Sequence, residues 1–181
     1  SAVCALCDDK VRSKEVMAKA GVPVPRGIFV ENGEGEFATT VPGPYILKSG
    51  HEHMSRGLRT VDDAQEALAE AKKLSLERRQ PILLEQFITG KEVEVACIPN
   101  EDASAFMMLP VLEWISPDGE GSAITEERKT LGGSTPRRAV LHPEQRVQLE
   151  QFARAAIVAL GVRDYVRFDV RLAEDGTPYF L

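Results

Sequence analysis

Tyr165-Val-Arg-Phe-Asp-Val-Arg-Leu172, followed by Ala173-Glu-Asp-Gly176 and Thr177-Pro-Tyr-Phe-Leu181, reads as two strands folded back on one another around a Glu-Asp-Gly turn. Successive side chains of a strand point to opposite faces. Arg167, Asp169 and Arg171 therefore share one face, and Val166, Phe168, Val170 and Leu172 share the other. The apolar face demands a core. The other face sets a carboxylate between two guanidiniums, which suits either a solvated ion-pair ladder or a site for anions and a divalent ion.

The rest of the chain supplies partners for such a hairpin. Lys91 to Ile98 alternates in the same way, with Glu92 and Glu94 opposite Val93, Val95 and Cys97. Gly27–Val30, Tyr45–Lys48, Pro81–Glu85 and Ala105–Trp114 are further expected strands. Asp8 or Asp9 can cap a helix from Lys10 to Ala20 that ends at Gly21. A second helix is expected from Thr60 or Asp62 to about Arg78, with Ala64, Leu68 and Ala71 on one face. A third runs from Pro143 to Leu160 and stops at Gly161. The segments from Asn32 to Pro44 and from Ser116 to Arg138 read as loops. Strands and helices are interspersed without strict β-α-β-α order, so the expected fold is α+β with antiparallel sheets. Neither G-x-G-x-x-G nor G-x-x-x-x-G-K-[ST] occurs, which removes the support for the two commonest nucleotide folds.

Composition excludes several classes. The chain has 181 residues, 43% hydrophobic and 28% charged, with a net charge of −6 and no basic stripe of the kind nucleic acid demands. No apolar run approaches the ~20 residues of a membrane span, and the N-terminus lacks a signal-peptide pattern. The expectation is a cytoplasmic protein without nucleic-acid or membrane partners. Cys4 and Cys7 form a C-x-x-C, but Cys97 alone and three histidines without matching spacing do not complete a structural zinc site, so reduced thiols are expected.

Two further constellations could carry chemistry. Lys48 ends an apolar strand, and Gly50, Ser55 and Gly57 follow it. A fixed cation beside a Gly/Ser loop can hold a polyphosphate; a solvated lysine before a surface turn explains the same residues. Glu85-Gln86-Phe87-Ile88-Thr89-Gly90-Lys91-Glu92 joins two strands through a short irregular link. Exposed backbone there can pair with the edge of a purine, and Glu92 can accept from ribose hydroxyls; an ordinary crossover with solvated carboxylates is the alternative.

In this order the pieces resemble the D-alanine–D-alanine ligases of the ATP-grasp superfamily. The matching stretches are Ser1–Lys14 with Ala20–Pro25, Pro44–Lys48 with Ser55–Gly57, Leu84–Glu92, Leu109–Glu113, Arg167–Asp169 and Gly176–Leu181. The resemblance implies an ATP-grasp fold of two lobes, a central one over residues 1–84 and a C-terminal one over 85–181, the latter incomplete at its end. It implies ATP between the lobes, with Lys10, Lys48, Ser55 and Gly57 at the phosphates. Backbone of Gln86 and Ile88 would meet adenine beside Glu85, Glu92 would meet ribose, and Leu181 would line the nucleotide site. Asp169 would ligate Mg²⁺ (or Mn²⁺), Arg167 would stabilise the transition state, and Lys129 would reach the γ-phosphate. The implied reaction is attack of a carboxylate on the γ-phosphate, then amide formation from the acyl phosphate. The partners would be small amino-acid or carboxylate substrates, and a homodimer of a full-length parent is compatible with the family. The family continues beyond the Leu181 position with a glutamate and an asparagine of the metal site, and it carries a further small domain before the Ser1 position; a fragment is therefore expected. Thr125-Glu-Glu-Arg-Lys129-Thr lacks the family's loop tyrosines, which leaves ligation of other amino acids or peptides, or a non-catalytic nucleotide-binding module, as alternatives.

Overall fold

The computed structural model describes residues 2–36, 41–49, 59–101, 105–115 and 135–181. Helix α1 (Ala2–Asp8) leads into α2 (Lys10–Lys19), whose first turn is capped by Asp9; its carboxylate accepts from Val11 N at 3.0 Å and Arg12 N at 3.1 Å.

A four-stranded antiparallel sheet follows, built from β1 (Gly27–Val30), β2 (Tyr45–Ser49), β3 (Arg59–Val61) and β4 (Ile82–Gln86) in the order β1-β4-β2-β3. Helix α3 (Ala64–Arg78) opens at Asp63, whose side chain accepts from Gln65 N and Glu66 N, and buries Ala67 and Ala71. These small residues let the helix lie close on Val30, Tyr45, Leu47, Val61, Ile82 and Leu84.

The second sheet holds β5 (Gly90–Pro99), β6 (Phe106–Met108), β7 (Leu112–Ile115), β8 (Thr135–Arg138), β9 (Val166–Ala173) and β10 (Pro178–Phe180). Its order is β10-β9-β5-β7-β8, with β6 also on β5, and every pairing is antiparallel. Helix α4 (Pro143–Leu160) places Leu149, Ala153, Ala156, Ile157 and Leu160 in the same core as Val93, Val95, Phe168, Val170, Leu172 and Phe180. Phe168 and Phe180 meet edge to face, with centroids 5.3 Å apart.

The strands of the first sheet end at Gln86 and those of the second begin at Gly90. Helix α2 does not follow this division of the chain. Met17 from α2, and Val22 just after it, lie in the second core.

Helix α1 is not among the expected elements, and three local expectations are corrected. The helix expected from Thr60 or Asp62 starts at Ala64, because Arg59–Val61 pairs with β2 as a strand. The single strand expected over Ala105–Trp114 is two, divided at Leu109-Pro110-Val111; Pro110 has no N–H to give to a ladder. Thr135–Arg138, expected within a loop, is strand β8 and pairs with β7. Among the described residues, no helix is long and apolar enough to cross a membrane.

Candidate functional site

The face of the first sheet turned away from α3 carries the first cluster. Register pairs Ile46 with Glu85 and Lys48 with Leu83, so Lys48 and Glu85 share that face while Tyr45, Leu47 and Leu84 pack beneath α3. Opposite Glu85 on β1 stands Gly27, where a Cβ would lie 2.6 Å from the Glu85 Cβ; only a glycine leaves room for the carboxylate.

Glu85 is 1% exposed, and each of its oxygens is held by a different lysine. Lys14 Nζ donates to Oε2 at 2.6 Å, and Lys48 Nζ donates to Oε1. Lys10 Nζ, one helical turn before Lys14, donates to Ser49 O at 3.0 Å. Burial alone would raise the Glu85 pKa, but the charges and hydrogen bonds of Lys14 and Lys48 outweigh it and hold the carboxyl below its ordinary value. Burial, followed by the charges of Lys48 and Lys10, lowers the Lys14 pKa to about 8 against the opposing pull of Glu85.

The link after β4 is partly committed. Gln86 N donates to Arg26 O and Phe87 N to Pro44 O, each at 2.8 Å. The Gln86 amide, expected at a purine edge, is therefore engaged within the protein, and Ile88 is buried at 7% exposure.

The second cluster lies on the second sheet. Register sets Glu92 against Arg171 and Glu94 against Asp169, so the face expected from alternation is shared by β5 and β9. Arg171 Nη2 donates to Glu92 Oε2 at 3.0 Å and Nη1 to Gly90 O at 3.1 Å, and its guanidinium lies 5.0 Å from the Phe87 ring centroid. Burial lowers the Arg171 pKa, with Glu92 opposing. Glu92, expected at ribose, is thus a buried ion-pair partner. Arg167 sits between Glu94 at 3.6 Å and Asp169 Oδ1 at 3.5 Å. Asp169 Oδ1 is buried and makes no hydrogen bond among the described residues. Leu181 N donates to Asp169 O at 3.0 Å, which brings Leu181 beside that strand position.

A metal would find a partial ligand set here. Among the described residues no group of three or more His, Cys, Asp or Glu gathers to hold an ion. Mg²⁺ is commonly bound by one or two carboxylates completed by phosphate oxygens and water, and Asp169, with its unbonded buried oxygen, fits that mode.

Ser55, Gly57 and Lys129 lie outside the described residues. So do most of Ser49–Gly57 and Ser116–Arg138, of which only Ser49 and 135–138 are described; the Gly-rich or charge-rich character of both segments leads to the expectation of poor order without ligand. Sequence reasoning missed Lys14 and Glu113. The spacing of Lys10 and Lys14, one turn apart on α2, was the available signal. Glu113, 2% exposed, is held by Lys91 at 3.6 Å and Arg137 at 3.3 Å. It lies on the face opposite Glu92, because its register partner is Val93.

Two antiparallel sheets follow one another along the chain, and helix α2 is bonded to Glu85 of the first and packed in the core of the second; with the structural likeness given below, this is a fold of the ATP-grasp class. A profile of the family described as D-ala D-ala ligase C-terminus matches residues 16–181, and the chain belongs to that family. It is 35% identical over 176 residues to the D-alanine–D-alanine ligase of Methylacidiphilum infernorum, covering 96% of this chain and 54% of that protein. It is 31% identical over 179 residues to the uncharacterized protein y4sG of Sinorhizobium fredii, covering 97% of this chain and 52% of the relative. The crystal structure of the Bacillus anthracis D-alanine–D-alanine ligase complexed with ATP superposes with a TM-score of 0.74 at 19% identity, over 98% of this chain and 55% of that one. The chain thus spans about half the length of the curated relatives it matches.

Proposed function

We propose that this chain forms the nucleotide-binding part of an ATP-dependent ligase that joins a carboxylate to an amine through an acyl phosphate. Mg-ATP would lie between two lobes, residues 1–84 and 85–181, with α2 reaching both. The observation that carries this reading is the convergence of Lys14 and Lys48 on Glu85, with Lys10 one turn before Lys14 on the neighbouring Ser49 carbonyl, immediately before the link to a face bearing Asp169 and Arg167. Lysine ammonium groups held beside one another on a fixed strand and helix can bind phosphate oxygens, and a short link with backbone groups is suited to a planar base.

In this reading Lys10 and Lys48 meet the phosphates, together with Ser55, Gly57 and Lys129. Ile88 backbone meets adenine, while Gln86, whose N–H is already engaged, offers its remaining backbone group. Leu181 lines the nucleotide, and Glu92, bonded to Arg171 at 3.0 Å, meets ribose. Asp169 would hold Mg²⁺, which supplies charge neutralisation at the phosphates when bound. Arg167, half exposed and only loosely paired, is free to turn toward charge that develops on a transferred phosphoryl group. The protein's contribution is positioning and electrostatics. Small amino acids or related carboxylates are the substrate class.

The test is calorimetric titration with Mg-ATP of the protein and its Lys48→Ala variant, together with phosphate release by the full-length parent over a panel of D- and L-amino acids; this chain alone is expected to bind without turnover. Saturable binding weakened by the substitution, and amino-acid-dependent phosphate release, are expected. Equal or undetectable binding in both proteins would reject the nucleotide site.

A further inference from the structure

Glu85 has two oxygens and two lysines, and the lysines differ in where they come from. Lys48 stands on β2 beside its acceptor strand, while Lys14 arrives from α2, 71 positions earlier than Glu85. Lys14 is 8% exposed and Glu85 1%. A buried carboxylate left without a cation is strongly unfavourable. If Lys48 were the sole partner, turning it toward a phosphate would strand the Glu85 charge. With Lys14 fixed on Oε2 at 2.6 Å, that charge stays compensated whichever way Lys48 points.

We infer that Lys14 is a positioning residue for anion binding: it retains the Glu85 carboxylate so that Lys48 can exchange Oε1 for a phosphate oxygen. This rests on the assignment of Lys48 to phosphate proposed above. Glu85 is then an internal anchor for two lysines, which accounts for its near-complete burial. Protonated Lys14 is required for the exchange. Because its pKa is about 8, phosphate affinity declines as pH rises through that value. Above it, neutral Lys14 no longer offsets Glu85, and Lys48 is drawn back to the carboxylate.

The experiment has two arms. The first measures binding of inorganic tripolyphosphate, Mg-ATP and adenosine to the wild type, Lys14→Met and Lys14→Arg. Methionine matches the apolar stem of lysine without its ammonium and leaves Glu85 a neutral pair with Lys48, so this variant retains a compensated core. Lys14→Met is expected to weaken both phosphate ligands by about tenfold or more and adenosine by less than about twofold, as suits loss of one member of a buried charge cluster. Lys14→Arg should restore phosphate binding and remove its decline near pH 8. The second arm follows the Lys14 ε-carbon by NMR in the ligand-free protein. Its pKa should rise in Lys48→Met, where one of the cations that lower it is gone. A wild type that binds neither phosphate ligand would overturn the proposed function and this inference together. A wild type that binds both, with Lys14→Met unchanged or weakened equally toward adenosine, would overturn the inference alone. So would a Lys14 titration indifferent to Lys48.

Discussion

Glu92 on β5 and Arg171 on β9 are register partners 79 positions apart in the chain, and they bond at 3.0 Å with both side chains buried. The pair joins the two central strands of the second sheet on the face opposite its core. Arg171 also holds Gly90 O and covers the Phe87 ring, so one guanidinium fixes both the ladder and the link that enters it.

Removing one partner leaves a buried charge. Arg171→Met is expected to destabilise the fold by about 3–5 kcal/mol, and the double variant with Glu92→Gln by clearly less than the sum of the single changes. Urea unfolding of the two single variants and the double variant measures this. Additive losses would show that the pair is not coupled.

Glu85 sets an acid dependence. Its folded carboxyl is held below the ordinary glutamate value, so its contribution to stability is present above the ordinary range and is lost as pH falls through the folded value. Glu85→Gln should therefore flatten the acid limb of the stability–pH curve. The check is unfolding free energy against pH for both proteins, and parallel acid limbs would contradict it.

Gly90 cannot be enlarged. Its φ is +142°, and a Cβ would stand 1.9 Å from Leu172 O, a backbone atom of the neighbouring strand. Gly90→Ala is expected to cost about 3 kcal/mol or more, or to prevent folding, since the clash is with backbone and the dihedral is one only glycine adopts readily. Thermal denaturation and soluble yield would register it, whereas Gly21→Ala, with open space around the new Cβ, should retain a folded protein.

Asp169 separates stability from binding. Its buried Oδ1 faces a half-exposed Arg167 at 3.5 Å without a hydrogen bond, so Asp169→Asn should change stability by less than about 1 kcal/mol. The same substitution should abolish the Mg²⁺ dependence of nucleotide binding. Parallel unfolding and calorimetric measurements test both halves; a large loss of stability would identify Asp169 as a structural residue.

Elements with a one-sided apolar pattern were legible before any coordinates. The alternation in Lys91–Ile98 and Val166–Leu172 assigned both faces of the second sheet, and Asp9 marked the start of α2. The elements that escaped have little burial to pattern them. α1 buries no side chain, β3 buries only Val61, and β8 buries none, being held by its ladder with β7. The site divided in the same way. Arg167, Asp169 and Arg171 share a face because a strand's period is local. Lys14 and Glu113 are buried because of partners on other elements, and no local pattern foretells an ion pair formed across the fold.

The path of α2 has a mechanical consequence. Its apolar side is seated among the residues packed under the second sheet through Met17, while its ammonium groups grip Ser49 O and Glu85 on the first. The helix is therefore an axle bearing on both halves. Any hinge-like swing of one sheet against the other must load those two grips, so a spectroscopic label on the outer surface of α2 would sense such a swing.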